Sequence, residues 1–585
     1  MPITITVNGK KHEVKEGQTI LEALREIGMD VPTLCYHPSL SIVGSCRVCV
    51  VEVEGGKNLS PACSTRVDDG MVIKTNSDRV EKAIKFNLAL LLSSHPNDCM
   101  TCDVNGKCEF QDLIYQYDVQ DMFPKELRSE NYDESSPSLF RDMNKCINCG
   151  RCVRACEELQ GLSILSMTNR GHDSLPLPSF NAPISATDCI NCGQCAYLCP
   201  VGAITERMEF RQVMDEINRH NKILVVQTAP AVRVALGEEF GEKPGSISTG
   251  KMVAALRQLG FDYVFDTNFA ADLTIMEEGS ELLDRVKNGG KFPMFTSCCP
   301  AWVNLVEKKY PEFTENLSSA KSPHEMLGSA VKTYFAEKID VNPEDIFVVS
   351  VMPCTAKKDE KLREQLKVNG LDAVDAVITT RELGKMIEVK KIPYESLEEE
   401  EYDKPLGIST GAGAIFGATG GVMEAALRTA YELYTGEELP KLDFDEVRGI
   451  EGVKETTITM KDAKLRVAVS HGAANVIKLM DKIKKGEAEY DFVEIMACPG
   501  GCIGGGGQPS SNDPDIIQKR IDAIYDIDRN LELRKSHENP AVKQIYEDFF
   551  GEPLSHLSHE LLHTTYSGRK DKVVSRMKAL SKDKE

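Results

Sequence analysis

Four cysteines near the N-terminus have a spacing that suits a small iron–sulfur cluster. They are Cys35, Cys46, Cys49 and Cys63, and the middle two form a close C-x2-C pair. Four thiolates with one such pair favour a 2Fe–2S cluster, although the ten-residue first gap departs from the plant-type ferredoxin pattern. A structural zinc site is the alternative that this group leaves open.

One histidine and three cysteines follow in the stretch HPNDCMTCDVNGKC, at residues 95–108. The four candidate ligands are His95, Cys99, Cys102 and Cys108. An imidazole with three thiolates also makes an ordinary zinc site, so this group by itself is equally compatible with zinc and with a 4Fe–4S cluster. His95 is a candidate because it stands close to three cysteines that otherwise lack a fourth partner.

The strongest pattern is a duplicated C-x2-C-x2-C-x3-C motif, which is typical of bacterial ferredoxins with two 4Fe–4S clusters. The first three cysteines of each copy bind one cluster, and the fourth binds the other. One predicted cluster is therefore held by Cys146, Cys149, Cys152 and Cys199. The second is held by Cys189, Cys192, Cys195 and Cys156. With these two clusters assigned, iron–sulfur clusters become the favoured interpretation of the two earlier cysteine groups as well. The four clusters together predict an electron wire, which is a chain of clusters that passes electrons along the protein.

Five of the twenty cysteines remain in the second half of the chain: Cys298, Cys299, Cys354, Cys498 and Cys502. The first two are adjacent in FTSCCPAW, at residues 295–302. Neighbouring cysteines rarely bind one metal ion through both sulfurs, and a disulfide between them would be strained. These two thiols are therefore expected to have different roles.

The composition is that of a globular protein with several domains. The chain has 585 residues, of which 41% are hydrophobic and 27% charged, and its net charge is −21. That charge argues against binding nucleic acid, whose phosphates it would repel. No run of 18 apolar residues predicts a membrane span, and the start, MPITITVNGKKHEV, predicts a strand–turn–strand rather than a signal peptide. We therefore expect a cytoplasmic protein, where cysteines serve as metal ligands or catalytic thiols rather than disulfides.

The elements that must position these cysteines change along the chain. The N-terminal hairpin is followed by an amphipathic helix, TILEALREIG. From about residue 210, apolar runs alternate with amphipathic helices, which predicts α/β architecture. Four apolar runs with the loops that follow them are ILVVQTAP, FPMFTSCCP, IFVVSVMPC and FVEIMACPGGC. Since ligands of open α/β sheets bind beyond the carboxyl ends of strands, we expect these loops to converge. The stretches GSISTGKM and GAGAIFG miss the nucleotide-binding patterns, so no nucleotide site is predicted.

Three motifs in this region resemble the signatures of the iron-only (FeFe) hydrogenases, in the same order and with the same spacing. They are TSCCPAW (296–302), MPCTAKKDE (352–360) and EIMACPGGCIGGGGQP (494–509). The cluster-binding N-terminal region is also similar to that of the large, multi-cluster members of the family, so the resemblance covers nearly the whole chain. It is strongest to the catalytic subunits of NAD(P)-linked hydrogenases.

The resemblance implies an H-cluster, which is a 4Fe–4S cubane joined to a two-iron unit with CO, cyanide and a bridging dithiolate. The implied cubane ligands are Cys299, Cys354, Cys498 and Cys502, with Cys502 as the bridge to the two-iron unit. Lys357 is implied as the partner of one cyanide. The remaining implied contacts of the two-iron unit are Ala229, Pro230, Ser322, Pro323, Met352, Phe416 and Met496.

The resemblance also assigns the free thiol. Cys298 is implied as the proton carrier beside the open iron position, and a thiol with an ordinary pKa near 8.5 can exchange protons at modest free-energy cost. Family members continue this path through a glutamate, a serine and a second glutamate. The matching residues are Glu278, Ser318 and Glu281, with Ser319 as a second candidate for the serine.

The predicted layout has five parts and a two-lobed α/β catalytic domain. Residues 1–78 form a β-grasp-like 2Fe–2S domain, 79–138 a 4Fe–4S segment with one His and three Cys ligands, and 139–209 a ferredoxin domain. Residues 210–515 form the catalytic domain, and 516–585 resemble the family's small-subunit segment. His556, His559 and His563 in that last segment are expected to be surface or packing residues rather than metal ligands.

The predicted activity is reversible oxidation of H₂, with one 2Fe–2S cluster and three accessory 4Fe–4S clusters relaying electrons. Expected partners are a flavin-bearing NAD(P) dehydrogenase subunit or a ferredoxin, together with maturation proteins for the two-iron unit. The alternatives are a stand-alone ferredoxin-linked hydrogenase and a hydrogen sensor or iron–sulfur assembly factor with the same fold. A pure electron conduit such as the cluster-bearing subunit of respiratory complex I is disfavoured by the three catalytic motifs.

Overall fold

The computed structural model describes residues 2–128, 131–460 and 463–569. The first domain is a mixed five-stranded sheet with strand order β2-β1-β5-β3-β4, packed against one helix. Asn8 and Gly9 both have positive φ in the β1–β2 turn, as a two-residue hairpin requires. Thr19 and Glu22 form a capping box that begins the helix. Its elements are β1 (Pro2–Val7), β2 (Lys10–Lys15), α1 (Ile20–Glu26), β3 (Val50–Val53), β4 (Ser60–Pro61) and β5 (Val72–Lys74).

Two helices and a three-stranded sheet follow, and they hold the next two cysteine regions. The sheet order is β10-β7-β6, and β8 pairs with β9 in a separate hairpin. Strand β6 lies before residue 139 and yet pairs with β7, so the ferredoxin sheet extends into the predicted 79–138 segment. The elements are α2 (Asp78–Ser93), α3 (Glu109–Gln116), β6 (Tyr132–Asp133), β7 (Leu139–Asp142), α4 (Arg151–Arg154), β8 (Ser166–Thr168), β9 (Leu175–Leu177), α5 (Gln194–Tyr197) and β10 (Ile204–Glu206).

The first lobe of the catalytic domain is a four-stranded sheet with order β12-β11-β14-β15, in which every pairing is parallel. Its apolar strands are buried on both faces, as parallel strands covered by helices must be. Its elements are α6 (Phe210–Arg219), β11 (Ile223–Thr228), α7 (Thr249–Leu259), β12 (Tyr263–Asp266), α8 (Thr267–Asn288), β13 (Met294–Phe295), α9 (Pro300–Lys309), α10 (Pro323–Ala330), α11 (Ala336–Lys338), β14 (Ile346–Met352), α12 (Lys357–Glu360), β15 (Ala376–Thr379) and α13 (Thr380–Val389), with β13 belonging to the second sheet.

The second lobe has a four-stranded sheet with order β13-β18-β17-β16. Strands β13, β18 and β17 pair in parallel, and β16 joins the edge antiparallel. Its further elements are α14 (Gly411–Ile415), α15 (Gly421–Thr435), β16 (Val453–Met460), β17 (Ala463–His471), α16 (Ala473–Lys484), β18 (Phe492–Met496) and α17 (Ile516–Asn530). The predicted two-lobed α/β architecture is therefore present.

The C-terminal segment packs against the first lobe through α18 (Pro540–Ile545) and α19 (His556–Leu562). Its apolar residues join the main core of that lobe; they include Val542, Ile545, Phe550 and Leu562. In residues 2–128, 131–460 and 463–569, we find no helix that combines the length and apolar character needed to cross a bilayer.

Candidate functional site

The first four cysteines are brought together in loops of the N-terminal domain. The thiols of Cys35 and Cys46 are hydrogen-bonded, and so are those of Cys49 and Cys63. The hydrogen bond from Cys46 lowers the pKa of Cys35, and the bond from Cys49 lowers that of Cys63. Two close thiol pairs in one loop region are a suitable ligand set for a 2Fe–2S cluster.

The second group lies at the end of α2 and in the loop that follows. His95 is buried, packs edge-on against Phe110, and its Nδ1 lies 2.7 Å from the Pro96 carbonyl oxygen. A proton on Nδ1 in that bond leaves the lone pair on Nε2, which is the form that a ligating imidazole needs. Burial raises the pKa of Cys108, and the nearby Cys102 and Cys99 thiols raise it further, so the three thiols are neighbours.

The duplicated motif forms two small apolar cavities, each lined by four cysteines. Cys146, Cys149, Cys152 and Cys199 line one, and Cys156, Cys189, Cys192 and Cys195 line the other. The fourth cysteine of each copy thus lies with the first three of the other copy. This is the exchange that two adjacent cubanes require.

Direct contacts connect these four groups in space. Cys102 lies so close to Gly202 that a Cβ added to this glycine would be only 2.9 Å from the cysteine Sγ. Gly202 stands between Val201 and Ala203, which line the same cavity as Cys199. Arg154 donates from Nη2 to the Cys35 carbonyl at 2.6 Å and to the Cys149 carbonyl at 3.4 Å. Both N-terminal groups therefore adjoin the cavity of Cys146, Cys149, Cys152 and Cys199.

The second ferredoxin cavity adjoins the catalytic domain. Thr355 Oγ1 donates to the Asn191 carbonyl at 2.7 Å, and Gln194 Nε2 donates to the Gly504 carbonyl at 2.8 Å. Burial raises the pKa of Cys192, and the neighbouring Cys498 thiol raises it further. The cysteine groups thus form a continuous series from the N-terminal domain to the catalytic domain.

The last five cysteines converge from the carboxyl ends of three strands, as the sequence predicts. Cys298 and Cys299 follow β13, Cys354 follows β14, and Cys498 and Cys502 follow β18. Burial raises the pKa of Cys498, and the Cys354, Cys299 and Cys502 thiols raise it further in that order. These strands belong to both sheets, so the site lies between the two lobes.

The donor set fits an all-thiolate iron–sulfur cubane. Burial raises the pKa of Cys299, Cys354, Cys498 and Cys502 alike. Four such thiols ionise only opposite a strong positive charge, which a soft metal cluster provides. Tight glycine positions support the fit: a Cβ at Gly501 would lie 2.8 Å from Met496 Sδ and 2.7 Å from the Thr419 nitrogen. Backbone therefore comes close to the site at a position where no side chain fits.

Lys357 is placed to offer a hydrogen bond into the same space. Its Nζ donates to the Cys298 carbonyl at 3.2 Å and pairs with Glu360 Oε2 at 2.6 Å. Burial opposes the ammonium charge, but the Glu360 carboxylate raises the pKa of Lys357 overall. An ammonium has three donors, so these two contacts leave one for an anionic ligand. Glu360 was not among the residues that we singled out from sequence, although its i,i+3 spacing from Lys357 is a readable signal.

The other predicted contacts divide between the two lobes. Phe416 and Met496 belong to an apolar cluster against which Cys298 and Cys502 also pack. Met352 and Ala229 belong to the core of the first lobe, and the Ala229 nitrogen donates to the Val351 carbonyl at 3.0 Å. Pro230 follows Ala229 in the same loop. Ser322 is the N-cap of α10 and Pro323 its first residue. In the part of the chain that the structure describes, the buried Ser322 Oγ has no hydrogen-bond partner.

Cys298, Glu278, Ser318 and Glu281 form a polar series in which Glu278 and Ser318 are buried and Cys298 and Glu281 partly buried. Burial raises the pKa of Cys298, and the nearby Glu278 carboxylate adds to that shift. Burial also raises the pKa of Glu278 to about 8, with Glu281 adding to the shift and a hydrogen bond from Ser318 opposing it. Ser318 Oγ lies 3.0 Å from Glu281 Oε2. At neutral pH Glu278 is thus protonated and able to donate a proton.

Two further residues belong to this series. The sequence left Ser319 as an open alternative to Ser318, and Arg285 was not predicted. Ser319 Oγ lies 3.1 Å from the same Glu281 oxygen, so both serines contact that carboxylate. Arg285 Nη2 pairs with Glu281 Oε1 at 2.5 Å. The i,i+4 spacing of Glu281 and Arg285 on a predicted helix would have identified this pair.

Comparisons with known proteins agree with this organisation. Matching family models, with their residues, are the C-terminal domain of the iron only hydrogenase large subunit (222–506), the iron hydrogenase small subunit (514–569), a 2Fe–2S iron–sulfur cluster binding domain (1–78), the NADH-ubiquinone oxidoreductase-G iron–sulfur binding region (85–122) and a 4Fe–4S dicluster domain (145–203).

Similar proteins match over nearly the full length. The chain is 49% identical to the NADP-reducing hydrogenase subunit HndD of Solidesulfovibrio fructosivorans, over 97% of this chain and 99% of that protein. It is 44% identical to iron hydrogenase 1 of Clostridium pasteurianum, over 96% and 99% respectively. Among solved structures, an apo FeFe hydrogenase variant from Chlamydomonas reinhardtii matches with a TM-score of 0.56 and 48% identity, over 61% of this chain and 98% of that one.

Proposed function

Because the chain belongs to the iron-only hydrogenases, and is therefore an enzyme that interconverts H₂ with protons and electrons, we propose residue roles for that reaction. Cys299, Cys354, Cys498 and Cys502 would hold the cubane of the H-cluster, and Cys502 would be the ligand shared with the two-iron unit and its CO, cyanide and dithiolate ligands. The observation that carries this proposal is the convergence of four thiols, of which Cys354 and Cys498 are buried and Cys299 and Cys502 partly buried, with one further thiol, Cys298, that the cubane does not need.

The polar residues around the site have separate tasks. When bound, the two-iron unit supplies the position at which H₂ is formed or split. Lys357 offers its remaining N–H to a cyanide, and Glu360 holds the lysine in place. Ser322 Oγ offers a second donor, with the backbone near Ala229, Pro230 and Pro323 nearby. Met352, Phe416 and Met496 exclude water from the centre.

Protons move between this centre and the outside through four residues. Cys298 carries the proton at Sγ, and Glu278 is its nearest titratable neighbour. Ser318 connects Glu278 with Glu281, because its hydroxyl donates to Glu281 Oε2 at 3.0 Å and its oxygen can accept from the protonated Glu278 carboxyl beside it. A carboxyl whose pKa is about 8 is well matched to proton exchange near neutral pH.

Electrons pass through four accessory clusters. We propose a 2Fe–2S cluster on Cys35, Cys46, Cys49 and Cys63, and a 4Fe–4S cluster on His95, Cys99, Cys102 and Cys108. Two further cubanes lie in the ferredoxin cavities described above. The contacts of Arg154 and Cys102 support a branched order, in which both N-terminal clusters deliver to the cubane of Cys146, Cys149, Cys152 and Cys199. The imidazole ligand should raise the potential of its cluster, because it carries less negative charge than a thiolate.

The test of these roles compares Cys298 with a cubane ligand. Cys298→Ala should keep its iron content and its infrared CO and cyanide bands and lose nearly all turnover, whereas Cys298→Asp should retain more, since a carboxyl also carries protons. Cys354→Ser should fail to assemble the centre, because a serine oxygen is a poor ligand for a soft cubane. Loss of the two-iron bands in Cys298→Ala, or a normal spectrum in Cys354→Ser, would overturn the assignment.

We further propose that the protein works in the cytoplasm as the catalytic subunit of an NAD(P)-linked complex. Its full-length similarity to a subunit named as NADP-reducing supports this. Because the sequence carries no nucleotide-binding pattern, a flavin-bearing dehydrogenase subunit would supply or take the electrons. Gentle purification of the native protein should therefore recover such a subunit. If the protein is recovered alone, and a ferredoxin by itself supports full H₂ evolution, the proposal of an NAD(P)-linked complex is wrong.

A further inference from the structure

The C-terminal segment places a histidine next to the proton path. The Thr564 nitrogen donates to the Ser319 carbonyl and the Lys321 nitrogen to the Leu562 carbonyl, both at 2.8 Å, so the chain after α19 pairs with the loop before α10. This pairing brings His563 Nδ1 within 2.8 Å of Ser319 Oγ. The His563 side chain is buried, with 6% of its surface exposed.

A buried glutamate fixes the orientation of that histidine. Glu277 Oε2 lies 2.9 Å from His563 Nε2 and accepts from the Leu554 nitrogen at 2.9 Å, while its Oε1 accepts from the Tyr546 hydroxyl at 2.5 Å. A carboxylate at Nε2 keeps a proton on that nitrogen. Nδ1 is therefore the nitrogen that exchanges a proton with Ser319.

Glu281 lies between this histidine and the proposed proton path. Its Oε2 contacts the hydroxyl groups of both Ser318 and Ser319, and its Oε1 pairs with Arg285. A guanidinium stays charged at every physiological pH, so Arg285 can orient Glu281 but cannot take up or release its proton. The next side chain in contact with this group that can both take up and release a proton is His563, whose Nδ1 lies 2.8 Å from Ser319 Oγ.

A second histidine extends this connection to solvent. His559 is exposed, on the last turn of α19, and its ring centre lies 4.3 Å from that of His563. Glu281, Ser319, His563 and His559 thus form a series from the partly buried Glu281 carboxylate to the surface. His556, one turn earlier on α19, is exposed and, within the described residues, makes no hydrogen bond to a member of the series.

We propose that Ser319, His563 and His559 form the outer end of the proton path, so that the C-terminal segment supplies its exchange site with solvent. This inference rests on the path through Cys298, Glu278, Ser318 and Glu281 proposed above. During H₂ evolution, the Nδ1 proton of the His563 imidazolium passes to Ser319 Oγ as the Ser319 hydroxyl proton passes to Glu281 Oε2. His563 is left neutral with its Nε2 proton on Glu277, and a solvent proton that binds Nδ1 restores the imidazolium, with the exposed His559 lying beside the ring at the surface. H₂ oxidation runs the same transfers in reverse.

The main variant is His563→Gln, whose amide can accept from Ser319 and donate to Glu277 but cannot carry a proton. Turnover should fall at least about tenfold, since positioned proton-transfer groups contribute roughly 10²–10⁴-fold. The infrared CO and cyanide bands and the unfolding temperature should stay as in the native enzyme. Added imidazole should restore much of the activity in His563→Ala, where it can occupy the vacated space. The matched control is His556→Gln, which should behave as the native enzyme does.

A second measurement is independent of turnover. In protein that carries its iron–sulfur clusters but lacks the two-iron unit, the protonated Glu278 carboxyl gives an infrared C=O band that Glu278→Gln removes. Rapid mixing with D₂O shifts this band as the carboxyl proton exchanges. His563→Gln should slow this exchange, and His556→Gln should leave it unchanged.

The possible outcomes distinguish the outer end of the path, which we call the histidine outlet, from the inner path between Cys298 and Glu281. If His563→Gln keeps full turnover and native exchange while Glu281→Gln loses both, the inner path stands and the histidine outlet is wrong. If Glu281→Gln also keeps full turnover, the proposed path fails as a whole. If His563→Gln loses activity together with its infrared bands, and imidazole does not rescue His563→Ala, His563 has a structural role only.

Discussion

The two copies of the ferredoxin motif have the same local structure and opposite neighbours. Asn148 and Asn191 have φ of 55° and 60°, and Gly150 and Gly193 have φ of 69° and 73°. Each glycine precedes a four-residue helix, α4 or α5. The shared spacing and the shared left-handed residues produce the same loop, since Asn and Gly adopt this conformation most easily.

The first copy contacts the N-terminal domains through long charged side chains. Arg151 donates to both oxygens of Glu109, at 2.7 and 2.9 Å, and to the Tyr36 carbonyl at 2.7 Å. Arg154 connects the carbonyls of Cys35 and Cys149. We call this contact, formed by Arg151 and Arg154, the N-terminal junction.

The second copy contacts the catalytic domain through close backbone approach. A Cβ at Gly193 would lie 2.8 Å from Thr355 Cγ2 and 3.2 Å from Gly506 Cα. A Cβ at Gly506 would lie 2.7 Å from Gly193 Cα. We call this contact, formed by Gly193, Gln194, Thr355 and Gly506, the catalytic junction. By contrast, a Cβ at Gly150 would meet nothing within 4 Å.

The difference shows how one motif can serve two connections in an electron wire. Flexible arginine side chains can join separately folded domains and adjust to small shifts between them. The catalytic junction instead brings two backbones together, and only glycine permits that distance. It should therefore tolerate less change than the N-terminal junction, and the following predictions test that expectation.

The largest effect is expected from Gly193→Ala, with Gly150→Ala as its matched control. Both variants add the same methyl group at the same left-handed backbone angle, which costs about 1–2 kcal/mol. Gly193→Ala must also displace Thr355 or Gly506, which adds roughly 1–3 kcal/mol of overpacking and separates the two domains. We expect H₂ evolution to fall about tenfold or more in Gly193→Ala, by analogy with other small displacements in active centres, and to stay near native in Gly150→Ala. Equal losses of unfolding free energy and activity in the two variants would show that the junctions do not differ in this way.

The sequence predicts that the two copies of the motif form similar cavities. It does not predict which copy lies against the N-terminal domains and which lies against the catalytic domain. The duplicated spacing predicts two cavities with an exchanged fourth cysteine, and both cavities are present. Apolar runs that end in cysteine loops predict the catalytic site at strand ends. Neither pattern tells which copy contacts which domain, because that depends on contacts between residues more than 100 positions apart, such as Arg154 with Cys35.

The same limit explains why His563 was expected to be a surface or packing residue. Its partner Ser319 lies 244 positions earlier. The sequence around His563 has no motif that sets it apart from His556 and His559, and only tertiary packing separates the buried histidine from the exposed ones. Glu281 and Ser318 could be identified because the family resemblance assigns them, whereas the resemblance of residues 516–585 to the small-subunit segment assigns no proton-transfer role to the histidines of the last helix.

A smaller effect is expected from Arg154→Gln at the N-terminal junction. The change removes the charged donor that joins the Cys35 and Cys149 carbonyls, and hydrogen bonds from charged groups contribute about 1.5–3 kcal/mol. The 2Fe–2S cluster should remain assembled, and its reduction by way of the neighbouring cubane should slow severalfold, which rapid-freeze electron paramagnetic resonance can follow. Arg154→Lys keeps the positive charge but loses the planar guanidinium that donates to two carbonyls at once. Its rate of 2Fe–2S reduction should therefore lie between those of Arg154→Gln and the native protein. Loss of the 2Fe–2S signal itself would instead show that Arg154 is needed for the domain to fold.

The smallest effect is expected from salt, and it should distinguish the two junctions without any mutation. Arg151 is almost fully buried, but its partner Glu109 is 32% exposed, so dissolved ions can screen their attraction. Raising the ionic strength from about 0.1 to about 1 M shortens the screening length from about 10 to about 3 Å. We expect amide hydrogen exchange to quicken modestly near Tyr36 and Glu109, in line with a loss of at most about 1 kcal/mol for a partly exposed pair. The contacts that join Gly193, Gln194, Thr355 and Gly506 to one another are between uncharged groups. The Arg381 guanidinium that donates to the Gly506 carbonyl is paired with the buried Glu206, where dissolved ions screen little. Exchange at the catalytic junction should therefore respond less. An equal response at both junctions would mean that salt loosens the whole chain, and that the arginine contacts are not what makes the first junction adjustable.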